Sequence, residues 1–218
     1  MKTAALIALL VLVVVAAHRV GSESQQVPPA RVATPLPPER EPTQLPPERE
    51  ATQHVGFWQL IADTRDAAGD DTGRQSELLE ERLSRLPPEQ IVDFQQIREG
   101  LDRQAYSWDI WGAAYVIEDG CSDDCFRDFR AYLISLGPGP YEAALRDPDS
   151  LAPVVRDAEE GDWENADDVA PDAYESATGE DFPGDSSDLS GDPRGEPWDD
   201  EEQETLVQRY PALAARFR

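Results

Sequence analysis

Ser107 to Gly120 reads SWDIWGAAYVIEDG, and between Trp108 and Ile117 the only charged side chain is that of Asp109. At 3.6 residues per turn, Trp108, Trp111 and Tyr115 fall on one side, and Ile110, Ala113, Ala114 and Ile117 on another. A helix with no polar face has to be covered on every side. The stretch therefore predicts the central helix of a bundle, with Gly120 as its stop. A chain built around such an element needs several amphipathic helices to surround it.

The flanking sequence supplies them. Phe57, Leu60, Ile61 and Ala68 share one face of a helix beginning near Val55, and Gly69 to Gly73 break it. Leu79, Leu83 and Leu86 mark a second helix that runs up to Pro87-Pro88. A third, opening on those prolines, lines up Ile91, Phe94, Ile97 and Leu101. After Gly120, Phe126, Phe129, Leu133 and Leu136 recur at helical spacing up to Gly137, and a shorter helix spans Tyr141 to Arg146. GPGP at Gly137 reads as turn chemistry. No sustained alternating run rich in β-branched residues occurs here. The expected class is all-α, a compact multi-helix bundle over 55–158, with Phe57, Trp58, Trp108, Trp111, Tyr115, Phe126 and Phe129 as core aromatics.

Three attachments surround that core. Ala4 to Ala17 is an unbroken apolar run of about 14 residues, nearer a signal-peptide core than a membrane span of about 20. Residues 1–20 read either as a cleaved signal or as an anchor held through residues 4–20, so the chain is expected outside the cytoplasm, secreted or attached to the cytoplasmic membrane. Residues 21–54 carry the tandem LPPEREPTQ and LPPEREATQ, whose prolines favour an extended spacer. At about 3.1 Å per residue, some 30 such residues would reach up to about 100 Å. Residues 159–198 are dominated by Asp, Glu, Gly, Ser and Pro and are expected to be a largely disordered acidic insertion, with one helix over Val169 to Ala177. Residues 199–218 recover helical spacing at Leu206, Tyr210, Leu213 and Phe217, interrupted by Pro211, and are expected to pack back on the bundle.

Several segments together carry a resemblance: FWQLI at Phe57, YSWDIWGAAYVI at Tyr106, GCSDDCFRDFRAYLI at Gly120, DPDSLA at Asp147, AYES at Ala173 and RYPALAARF at Arg209. In that order they are similar to the bacterial family catalogued as domain of unknown function 4240, over most of Val55 to Phe217. The resemblance implies no particular activity.

Charge and residue types narrow the chemistry. A formal net charge of -26 would repel the phosphates of nucleic acid and of anionic lipid, leaving cations, a basic protein partner or mere solubility as what the charge serves. A structural zinc needs about four ligands, and the histidines, His18 and His54, lie outside the expected core, so neither metal nor cofactor is expected. Cys121 and Cys125, four apart, are either a disulfide, which export would permit, or two partly buried thiols. Ser122, Asp123 and Asp124 fit a helix cap and its first turn. The sharper alternative is a binding corner in which Glu118, Asp119, Asp123 and Asp124 converge.

Without a core histidine a serine triad has no base. The function expected is a non-enzymatic interaction module displayed on a stalk, binding at its acidic surface or at the Asp123 corner. One alternative is a hydrolase using two carboxylates in a cleft near Asp123 and Asp124. A second is an acidic inhibitor of a basic partner.

Overall fold

A computed structural model describes residues 47–69, 71–156, 163, 165–184, 191–198 and 203–218, leaving the side chains of 47–52, 55 and 203 undescribed. The apolar run, the first repeat and most of the spacer lie outside these residues. The described ones all belong to one unit, Gln44–Arg218. They form nine α-helices, one 3-10 turn and no strand: α1 Pro47–Ala68, α2 Thr72–Leu83, α3 Pro88–Ala105, α4 Trp108–Ile117, α5 Asp123–Ser135, α6 Pro138–Arg146, the turn Pro148–Leu151, α7 Val169–Thr178, α8 Gln203–Arg209 and α9 Pro211–Phe217. Among the described residues no helix is long and apolar enough to cross a membrane.

Local chemistry sets most boundaries. Asp71, Ser107 and Ser122 stand before α2, α4 and α5, and each accepts the backbone N–H three residues on, at 2.8, 3.3 and 3.3 Å. Such a cap contributes about 1 kcal/mol to its helix. Pro88, Pro138 and Pro211 open α3, α6 and α9, where a missing N–H costs no hydrogen bond. Two expectations change for the same reason. The spacer was expected to run extended to residue 54, yet α1 begins at Pro47 inside the second repeat. GPGP was expected to be a turn alone, yet Pro138 starts α6 directly after Gly137, whose φ of 90° only glycine takes without strain.

The core joins Phe57 and Ile61 of α1, Leu79 and Leu83 of α2, Ile91, Phe94 and Leu101 of α3, and Phe126, Phe129 and Leu133 of α5. Buried polar groups are tied down. Tyr141 donates its hydroxyl to the Leu101 carbonyl at 2.6 Å, and burial, with Asp102 nearby, holds its pKa well above the usual phenol value. Arg130 donates through two nitrogens to both oxygens of Asp102, at 3.0 and 3.2 Å.

The acidic insertion departs from expectation where it is described. Trp163 is only 2% exposed and donates its indole N–H to Ser76 on α2. Ala166, Val169, Ala170 and Ala173 complete one apolar stripe, and α7 lies against both α2 and α3. Asp167 reaches back to Arg98 at 2.7 Å. Fully burying a few such side chains is worth roughly 1.5–3 kcal/mol each for the larger ones, enough to order a short acidic segment.

Candidate functional site

The helix expected at the centre is sided. Ile110, Gly112, Ala113, Ala114, Val116 and Ile117 are buried, whereas Trp108, Trp111 and Tyr115 are half-buried. The physical reason is size. At Gly112 an added Cβ would stand 2.8 Å from the Tyr210 hydroxyl oxygen and 3.2 Å from Leu206, so the small-residue side lets α8 and α9 press close to the backbone. The large rings are left on the flank. Of the expected core aromatics, Phe57, Phe126 and Phe129 are buried, while Trp58 joins the α4 rings in being partly covered.

Those flank rings make one continuous array. Trp111 stacks on Phe126 with centroids 4.8 Å apart and planes 7° from parallel, and Trp108 stacks on Trp111 at 5.2 Å and 8°. Tyr106 lies on Phe126 at 5.9 Å. The Arg130 guanidinium sits 4.6 Å from the Phe126 centroid and 4.9 Å from that of Tyr106, a cation on the ring faces. Trp198, from a distant part of the chain, stands edge-on to Trp108, Trp111 and Tyr115 at 5.7, 6.0 and 5.1 Å. Its indole N–H donates to the Trp108 carbonyl at 2.8 Å. Sequence reasoning missed Trp198 because an isolated tryptophan in an acidic, proline-bearing stretch has no periodic neighbours.

The four acids of the expected corner stand in different surroundings. Asp123 and Asp124 are exposed in the first turn of α5, with Arg127 3.4 Å from Asp124. Asp119 takes a left-handed conformation at φ 56°, just past the end of α4, and pairs with Arg218. Glu118, the residue that ends α4, is half-buried. Among the described residues no group of three or more His, Cys, Asp or Glu is gathered as for a metal ion. Cys121 and Cys125 form a disulfide with Cα atoms 5.3 Å apart, and Trp111 donates its indole N–H to the Cys121 carbonyl at 2.9 Å.

Beside the aromatic face lies an open groove of about 330 Å³, lined by Gln104, Ser107, Asp109, Ile110, Leu145, Pro148, Arg194 and Gly195. Its one carboxylate, Asp109, pairs with Arg209. Tyr210 donates its hydroxyl to the Asp109 carbonyl at 2.9 Å, and its pKa is pushed up to about 12, by burial first and by Asp109 and Asp149 next, against the opposing charge of Arg209. The groove can offer hydrogen bonds and ring contacts, but it holds no pair of acids poised for proton transfer.

An all-helical bundle carrying a flank of stacked indoles and a disulfide-closed turn is the class these features define. The chain belongs to the family described as protein of unknown function DUF4240, whose model matches residues 53–176, from within α1 to within α7. RYPALAARF at Arg209 lies beyond the matched residues. No curated protein and no solved structure matches the chain.

Proposed function

We propose that the chain is a non-enzymatic, extracytoplasmic interaction module whose contact surface is the aromatic face of α4, with a basic protein as partner. The observation that carries this is the partly exposed set of rings on one side of α4, Trp108, Trp111 and Tyr115, beside Asp109. Partly covered tryptophans next to a charge are the residues that dominate binding energies at protein interfaces. The net charge of -26 favours approach by a cationic surface. Two features support a place outside the cytoplasm: the apolar run Ala4 to Ala17, and a disulfide of the kind that persists in oxidising surroundings.

The test is affinity capture and cross-linking with the full chain against cell-envelope extract of the source organism. Wild type and an Asp123→Asn/Asp124→Asn variant should retain the same basic protein, and Trp108→Ala should lose it. Capture no better than by a charge-matched acidic control would remove the reading.

A further inference from the structure

Residues 191–198 form an arm across the start of α4. Its backbone makes a single parallel bridge, Ser107 with Arg194, in which Arg194 N–H donates to the Tyr106 carbonyl at 3.1 Å and Trp108 N–H donates to the Arg194 carbonyl at 2.9 Å. The Tyr106 hydroxyl donates to the Gly191 carbonyl at 3.2 Å, and the Arg194 guanidinium to the Gln104 carbonyl. Four residues after the arginine, Trp198 closes edge-on over the α4 rings. Gly191 and Gly195, at φ 106° and 95°, make the bends that bring the arginine and the indole onto the same surface. Arg194 and Gly195 also wall one side of the 330 Å³ groove.

The arm is attached differently from the helices that follow it. Leu206, Tyr210 and Leu213 of that later segment are 2% exposed or less and belong to the core. In the arm only Pro193 is buried and Trp198 half-buried; the other six residues are exposed. Lifting the arm would uncover one indole and one proline while leaving α8 and α9 in place. What it would expose is a receptive edge: the Tyr106 carbonyl and the Trp108 N–H for a backbone, the Gln104 carbonyl for a cation, and the faces of Trp108 and Tyr115 for a ring.

We infer that the arm is an internal ligand, occupying a docking cleft whose outside partner is an extended segment bearing an arginine and, four residues later, a tryptophan. The inference rests on the proposed role of the α4 face and names what that face takes. Backbone pairing to residues 106–108 supplies sequence-independent attraction, as when a peptide adds to a free edge. The carbonyl and ring contacts select the side chains, and the negative charge of the chain draws a basic segment in. A tethered arm competes at high effective concentration, so the partner binds only in proportion to the fraction of molecules with the arm released.

The test uses the full chain and a fluorescein-labelled synthetic peptide, GDPRGEPW, matching residues 191–198. The Arg194→Ala/Trp198→Ala variant should bind it about tenfold more tightly than wild type, since the competing arm is weakened. A peptide with alanine in place of tryptophan should bind neither. Hydrogen exchange at the Trp108 amide should quicken in the variant and slow again when the peptide is added. Equal peptide affinity for both proteins, or a Trp108 amide left unprotected by bound peptide, overturns the inference. Partner capture identical in wild type and variant also overturns the arm's role while leaving the interaction module standing. Peptide binding by the variant, with no envelope protein captured by either form, upholds the cleft and removes the module.

Discussion

The indole N–H of Trp111 donates to the carbonyl oxygen of Cys121, ten residues on, and so ties the stacked rings of α4 to the disulfide-closed turn that starts α5. The bridge to Cys125 holds that carbonyl in place from the far side of Ser122. Closing so short a loop contributes roughly 2 kcal/mol through the unfolded chain. Cys121→Ala/Cys125→Ala is expected to lower stability by about that amount in urea titrations, with a change in tryptophan fluorescence as Trp111 loosens. A variant as stable as wild type, with unaltered emission, would show that the bridge holds nothing.

Gly112 is where α4 meets the C-terminal helices. A methyl there meets the Tyr210 ring and Leu206 rather than a flexible chain end. Gly112→Ala gains helix propensity, yet the overpacking should dominate and cost about 1–3 kcal/mol. The combination with Tyr210→Phe, which removes the nearest atom, should recover part of that loss. Thermal melts of the single and double variants decide it.

Arg130 is 5% exposed and has Asp102 as its carboxylate partner. Asp102→Asn keeps the shape but leaves a buried guanidinium without its counter-charge, an error worth about 3 kcal/mol. Replacing both, as Asp102→Leu/Arg130→Met, should restore most of the stability. If the single and double variants lose the same amount, the ion pair is not the reason for the loss.

Tyr210 gives a pH signature. In the unfolded chain it loses its proton near 10.0, but in the fold only near 12. Because the folded value is the higher one, the neutral hydroxyl's contribution is complete below about pH 10 and is lost as pH rises through 12. Urea midpoints for wild type should fall over that window. Tyr210→Phe should start lower, by about 1 kcal/mol for the lost hydrogen bond, and decline less steeply. Some slope should remain, since Tyr141 is shifted in the same direction.

The helices that the sequence made legible are those with dense apolar spacing. Leu79 and Leu83, Ile91 to Leu101, and Phe126 to Leu136 each leave one possible face, and all are buried or nearly so. Two prolines misled in the same direction, since Pro47 and Pro138 start helices where they read as spacer and turn. In the acidic stretch the helix expected over Val169 to Ala177 is α7, but composition averaged over forty residues hid Trp163 and Ala166, which extend its buried stripe. The α4 flank was misjudged because periodicity says that Trp108, Trp111 and Tyr115 share a side. It cannot say that glycine and alanines on the opposite side will take the tighter packing.

The partners that cover the small-residue side of α4 lie far along the chain: Tyr210 reaches back 101 positions to Asp109, and Leu206 and Tyr210 crowd Gly112. During synthesis this side of the helix therefore has to wait, wet, until Tyr210 has been made. Folding that depends on contacts so distant is slow, and the apolar surface left bare in the interval is open to aggregation.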